Sequence, residues 1–353
     1  MSWGRARLAG PAAAALAALS LAPTLALADG SPGSTTSTPS ATAPAPTTPT
    51  PLAPVPPPKP AVSARVRIYL PDAMFVHRRP VTVIKRVFHV GGVVTPYAAG
   101  QWVTVRVGVG HRLIKSYKLR VKPSRNHRFG QFRERFSSLA TGRVVVVVSH
   151  TATPQMKSFR SRRTLEVLSE QVGFGSTGPF VQLIQQRLAA LHFYLPQTGV
   201  YDSGTGLAID AYHRLLHWGT SQNLDGRTVS FLLDGFGAFK LRFRGHGRHA
   251  EGNLGLQLLA LADGSHVQMI FPISSGKPST PTILGDFQVY YRVPGYLPDG
   301  MYFSDFFYNG YAIHGYDPAP DYPASHGCMR MPIADAITAF NWLNYGDWVD
   351  TYS

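Results

Sequence analysis

The chain holds one cysteine in 353 residues. A lone thiol closes no intrachain disulfide, so stability has to come from ordinary apolar cores. That thiol, Cys328, is either an inert buried group, an intermolecular bridge or a reactive one. Acidic residues are also scarce: 19 Asp and Glu stand against 34 Lys and Arg, a formal net charge of +15. The deficit is sharpest between residues 61 and 165, where about 20 basic residues face about two acids. Such a segment is drawn to polyanions by long-range attraction. For an exported chain, anionic wall polymers or phospholipid headgroups fit better than nucleic acid. The plain alternative is arginine that only solvates strand faces. Long apolar runs are missing too. Outside the N-terminus no stretch has the ~18 consecutive apolar residues of a spanning helix.

The N-terminus itself carries Arg5 and Arg7, then an Ala- and Leu-rich stretch to Ala28, with Ala26-Leu27-Ala28 in the small-x-small pattern of a cleavage site. Residues 1–28 therefore read as a signal peptide, with an uncleaved anchor as the alternative. The chain is expected to be exported, to the cell wall or the outer side of the cytoplasmic membrane. Residues 29–61 are almost all Ser, Thr, Pro and Ala and read as an extended linker.

Three further segments follow. Residues 62–168 alternate with a period of two, as in Val103, Val105, Val107 and Val109, and about seven short strands predict a basic Ig-like β-sandwich. His77, His89, His111, His127 and His150 lie in it without ligand spacing and are expected at surface or structural positions. Residues 172–235 switch to a helical period, with Val181, Ile184, Leu188 and Leu191 on one side. Thr177 is the expected cap and Pro179 falls in the first turn. Residues 240–353 return to strands. Ala262-Asp263-Gly264-Ser265 marks a hairpin, "GDFQVYYRV" reads as one strand, and "ADAITAFNWLNYG" as a helix ended by Gly346. The fold class is multidomain and mainly β, with a small three-helix unit in the middle.

Cys328 sits in "YPASHGCMRMP". A thiol attacks as thiolate, and an imidazole can take its proton. His326 lies two residues away; His314, in "YAIHGYD", ends an alternating run and is placed at the end of a strand. Gly327 permits a tight turn, in which backbone N–H groups of Cys328 and its neighbours can form an oxyanion site. Arg330 supplies a fixed cation that favours thiolate, holds a substrate carboxylate or braces the loop.

Two family resemblances follow from these residues. "VQLIQQRLAALHFYLPQTGVYDSGTGLAIDAYHRLLHW…LDGRTVSFLL" resembles a type 1 peptidoglycan-binding domain, with His192 where a Gly is usual and His213 where a Gln is frequent. "PISSGKPSTPTILGDFQVYYR" followed by "YAIHGYDPAPDYPASHGCMRMP" resembles the catalytic domain of YkuD-type L,D-transpeptidases. That resemblance implies a β-rich catalytic domain with Cys328 as nucleophile and His314 as its activating base, the ring oriented by the Gly315 carbonyl. It implies His326 and Gly327 as shapers of the oxyanion site with Ser325 bracing that loop, and Ser325, Arg330 and Tyr302 as substrate-binding residues. The implied reaction is acyl transfer through a cysteine thioester, forming 3→3 cross-links between peptidoglycan stems. An L,D-carboxypeptidase and a non-catalytic wall-binding protein are the alternatives. No metal or organic cofactor is expected. The expected partners are stem peptides and glycan, with anionic wall polymers on the basic segment, no nucleic acid, and a monomeric chain.

Overall fold

The structure is a computed structural model that describes residues 59–110 and 112–353. Residues 1–28, expected as a signal peptide, nearly all of the expected linker and His111 lie outside the described residues. Among the described residues no helix is long and apolar enough to cross a membrane.

The first region folds as ten strands: β1 Arg65–Tyr69, β2 Met74–Val76, β3 Arg79–Val83, β4 Phe88–Thr95, β5 Trp102–Val109, β6 Arg112–Arg120, β7 Lys122–Pro123, β8 Gly130–Phe136, β9 Gly142–His150 and β10 Phe159–Leu168. They form two sheets, in the orders β1-β4-β8-β7 and β2-β3-β10-β9-β5-β6. The alternating valines face inward from both: Val90 and Val94 from one sheet meet Val105, Val146 and Val148 from the other in one apolar cluster. On β5 the intervening Arg106 is exposed and Thr104 half-exposed, as the period of two requires. The three strands beyond the expected seven include the short pieces β2 and β7, too brief to register as alternation.

Three helices follow: α1 Pro179–Ala190, α2 Ser203–Leu215 and α3 Gly226–Asp234. Asp202 and Asp225 cap α2 and α3, each accepting from the backbone N–H three residues on. The expected cap at Thr177 is not used. Gly178 is the N-cap, at φ 117° and without a side-chain bond, and Thr177 instead forms a β-bridge with Val200. At the other end of α1 the chain reverses through His192 at φ 71°, a left-handed conformation that glycine adopts without strain.

The last region contains β11 Arg248–Asn253, β12 Leu258–Asp263, β13 His266–Pro272, β14 Gly285–Gln288, β15 Tyr291–Tyr296, β16 Tyr302–Tyr308, β17 Tyr311–Gly315, β18 Met329–Met331, α4 Ile333–Trp342 and β19 Trp348–Tyr352. The sheets run β13-β12-β11-β19-β14 and β15-β16-β17-β18. The β12–β13 hairpin turns at Gly264-Ser265, with Asp263 paired to His266 and Gly264 at φ 55°, a conformation glycine adopts freely. "GDFQVYYRV" is not one strand. It breaks at Val289 and Tyr290, whose N–H groups donate to Asp347 and Phe306, and the chain steps from one sheet to the other. The helix stops at Trp342, before Gly346, because Asn344 and Asp347 close a turn of their own.

The helices are not a free-standing bead. Leu188, Ile209 and Tyr212 share one apolar cluster with Val81 of the sandwich and with Leu258, Ala260 and Ile270 of the last region. A buried ion pair joins them further. Arg214 lies 2.9 Å from Asp210 within α2, and its Nη1 donates to the carbonyl of Gln257 at 2.7 Å.

Candidate active site

The site is built on β17 and β18, which run parallel with Ile313 opposite Met329, His314 opposite Arg330 and Gly315 opposite Met331. Continuing that register by one residue sets Ala312 beside Cys328. Side chains alternate across a sheet. Ile313, Met329 and Met331 therefore turn into the apolar core, where all three are buried. His314, Arg330 and Cys328 project together from the opposite face. A histidine and a cysteine that lie 14 positions apart in the sequence are thus diagonal neighbours on one surface.

The imidazole is locked. His314 Nδ1 lies 2.9 Å from the carbonyl oxygen of Gly315. A carbonyl can only accept, so Nδ1 carries the proton and Nε2 keeps its lone pair. His314 is 2 % exposed. Burial pushes its pKa down to about 4; the Gly315 bond works against that and the nearby Arg330 cation adds to it. Gly315 is required for close packing: a Cβ there would approach the Ala336 Cβ of α4 to 2.8 Å.

Cys328 is half-buried, and its thiol donates weakly to the Gly310 carbonyl at 3.7 Å. Burial raises its pKa, while a backbone N–H at Ala312 and the Arg330 charge favour the thiolate and offset part of the rise. Both groups are therefore neutral at rest, each through its own burial, and the thiol's hydrogen bond goes to Gly310 and not to His314. This differs from an ionised pair, and the reason is that both groups are drawn out of water.

The loop before Cys328 is held by side chains. Ser325 is fully buried; its hydroxyl accepts from Gly327 N–H at 3.0 Å and donates to the Cys328 carbonyl at 2.6 Å. Ser325 thus braces the loop, its hydroxyl engaged once as acceptor and once as donor. Gly327 sits at φ 124°, where L side chains are strained, and a Cβ would fall inside the Tyr311 ring. Its N–H, spent on Ser325, is withdrawn from the expected oxyanion site. Among the described residues the Cys328 N–H makes no turn or loop hydrogen bond, so it is available as a donor next to the Ala312 N–H that already meets the sulfur.

His326 is exposed, and its Nε2 accepts from the Lys277 ammonium at 3.1 Å. Arg330 lays its guanidinium 4.1 Å from the centre of the Tyr316 ring, and that ring meets His314 edge-on at 5.8 Å. Arg330 has no carboxylate partner among the described residues. Tyr302 pairs with Gly315 across β16–β17 and stacks on Tyr296 at 4.3 Å. It joins the site through the backbone of Gly315, and its side-chain contacts are with other aromatics.

A second layer carried no role in the sequence reading. The segment Ser274–Thr282 clamps the Cys328 loop from the side. Ser274 and Arg330 exchange backbone bonds of 2.8 and 2.9 Å, Ala324 and Ser325 both donate to the Ser275 carbonyl at 2.9 Å, and the Thr280 hydroxyl donates to the Ser325 carbonyl at 3.1 Å. Gln257 holds this clamp in turn: its amide donates to Ser275 Oγ at 2.7 Å and accepts from Ser275 N–H at 2.8 Å. Beside the loop runs a groove of about 640 Å³, walled by Ser275, Thr282, Leu284 and Tyr311.

Residues 248–350 match the family model of the L,D-transpeptidase catalytic domain, YkuD. No curated protein matches the chain. Among solved structures, an L,D-transpeptidase from Xylanimonas cellulosilytica is 30 % identical, with 51 % of this chain and 97 % of that one covered and a TM-score of 0.47. The catalytic domain of an E. faecium L,D-transpeptidase is 25 % identical over 30 % of this chain and 98 % of its own, with a TM-score of 0.28. By the match over its C-terminal region, the face that presents Cys328, His314 and Arg330 belongs to an L,D-transpeptidase catalytic domain of the YkuD family.

Proposed function

We propose that the chain is an exported cysteine acyltransferase that forms 3→3 cross-links between peptidoglycan stems. The observation that carries this reading is the shared face of Cys328 and His314, with His314 Nδ1 tied to Gly315 so that its Nε2 is the free base. In the first step the thiol proton passes to Nε2 as Sγ attacks the carbonyl of the third stem residue. The negative oxygen takes a bond from the Cys328 N–H. The C–N bond then breaks, the protonated His314 returns its proton to the departing amine, and the terminal D-amino acid leaves. A thioester remains. In the second step an amine of another stem attacks it, His314 takes the amine proton, and Cys328 leaves with that proton as the thiol. Arg330, a cation without a carboxylate partner, receives the stem's terminal carboxylate in this scheme.

The helical unit is proposed to hold glycan near the site, and the basic sandwich to lie along anionic wall polymers. Intact-mass measurement with a carbapenem tests the nucleophile: one adduct on the wild type and none on Cys328→Ala. The same adduct on both overturns the assignment. Incubation with tetrapeptide stems then reads the acceptor. Dimers support the transferase, and tripeptides alone mean that water is the acceptor.

A further inference from the structure

A cavity of about 560 Å³ lies where the helical unit meets the catalytic region. Pro196 and the first turn of α2 form one wall, the loop from Tyr316 to Pro320 a second and the start of α4 a third. Its size falls within the range of small-molecule sites, about 300–1,000 Å³, and junctions between folded units are where such sites gather. None of Cys328, His314 and Arg330 lines it.

Its charge runs against that of the chain. Asp202, Asp317 and Asp335 line it and no Lys, Arg or His does, although basic residues outnumber acids 34 to 19 overall. Asp202 is engaged as the cap of α2, bonded to Thr205 and Thr198. Asp317 is exposed. Asp335 is 9 % exposed, and among the described residues its carboxyl has neither a hydrogen bond nor an ion-pair partner. Burial alone lifts its pKa to about 7. An acid at the third position of a helix can reach back to the N–H of the N-cap residue. Here the N-cap is Pro332, which has no N–H. The positive end of α4 offers only about half a charge against a full one. Nor are the carboxyl oxygens sealed in: unlike the orphaned atoms of Thr82, Gln101, His150, Arg214 and Ser304, they keep accessible surface.

The chemistry of the walls selects the occupant. A divalent metal needs several ligands, and among the described residues no group of three His, Cys, Asp or Glu is placed to hold one. An anion meets repulsion from the acids. A guanidinium fork needs both carboxylate oxygens presented side by side, more than a carboxyl so deeply set can show. An ammonium is compact and needs only one side of it. Around Asp335, Pro196, Leu207, Pro318 and Ile333 present apolar surface that suits methylene groups.

We infer that this cavity binds a primary ammonium group on an aliphatic stem, such as the side chain of a lysine-type residue in a peptide, with Asp335 as its counter-ion and the apolar walls around its methylenes. The inference is independent of the chemistry at Cys328.

Isothermal titration of the full chain at pH 8, where Asp335 is mostly ionised, tests it. The probe is Nα-acetyl-lysine amide, and the control is Nα-acetyl-norleucine amide, which has the stem without the charge. Saturable binding of the lysine probe is expected, at least about tenfold weaker for the norleucine control and in Asp335→Asn, the loss that one ion pair of about 1.4 kcal/mol implies. Circular dichroism checks that the variant folds. Should it fail to fold, the two probes on the wild type decide. No saturable binding by the wild type, equal affinity for the two probes, or wild-type affinity in the folded variant overturns the site. Carbapenem acylation of Cys328 is expected at the wild-type rate in Asp335→Asn, so failure of this inference is distinguishable from failure of the catalytic one.

Discussion

The protonation state of the Cys328–His314 pair is open to a direct test by pH. Burial takes the imidazole from its ordinary value of 6.5 down to about 4. A group lowered in this way is neutral, and able to accept a proton, at every pH well above 4. With an ordinary histidine the base would be half protonated at pH 6.5, and acylation would fall about tenfold by pH 5.5. With His314 near 4, about 3 % is protonated at pH 5.5, and the rate should be flat within experimental error from pH 8 down to that point. The assay is the second-order rate of carbapenem acylation, followed by intact mass or by tryptophan fluorescence, at closely spaced pH values and constant ionic strength. Circular dichroism at each pH confirms that the fold persists. A plateau that bends only as pH approaches 4 is the expected result. A clear break between pH 6 and 7 would refute the reasoning, because it would mean that His314 is better hydrated, or paired with thiolate, in the protein that reacts.

Three further perturbations follow from single contacts. Ser325→Ala removes the hydroxyl that joins Gly327 N–H to the Cys328 carbonyl; leaving such buried groups unpaired costs about 1–3 kcal/mol each, so acylation should slow about 10- to 100-fold. Ser325→Thr keeps the hydroxyl and should recover most of that rate, and equal losses in the two variants would rule out the brace. His192→Gly relieves a left-handed residue after α1; a gain of about 0.5–1 kcal/mol is expected in urea denaturation, the strain removed less the added freedom of glycine in the unfolded chain. Arg214→Met strands the buried carboxylate of Asp210 and frees the Gln257 carbonyl; a loss of about 3–5 kcal/mol is expected in the same measurement, and a loss below 1 kcal/mol would show that the pair is hydrated.

What could be read from the sequence was whatever local chemistry dictates. The β12–β13 turn declares itself because Asp-Gly between apolar runs has few other uses. The valines of β5 declare their period because one face is core and the other is water. The site was legible in the same way, through the residues flanking Cys328 and the His-Gly pair at the end of β17. What stayed hidden depends on partners far along the chain. The break at Val289 is set by acceptors at Asp347 and Phe306, and no pattern within "GDFQVYYRV" marks it. Gln257 looks like any polar residue before a strand, and its importance arises only from Ser275 folding against it. Tyr302 was expected at the substrate, and its stacking partner Tyr296 comes from the neighbouring strand, which no local pattern marks. Ser325 was expected as a brace of the loop, and the partners of its hydroxyl, Gly327 N–H and the Cys328 carbonyl, lie within three residues of it.

The neutral resting pair also bears on where such an enzyme can work. A thiolate is the form of cysteine that oxidants attack, and an exposed, low-pKa thiol is oxidised first. The proposed location outside the cell is an oxidising one, and the chain has no second cysteine to resolve a sulfenic acid. Burial that raises the Cys328 pKa keeps the sulfur protonated there. The same burial makes the ionised pair costly by several kcal/mol, so proton transfer to His314 has to be coupled to attack. A substrate carbonyl supplies the missing stabilisation, because the charge leaves the sulfur for an oxygen that the Cys328 N–H can meet. The thiol is thus guarded until an acyl group arrives, and the structural cause is the burial of both the sulfur and the imidazole.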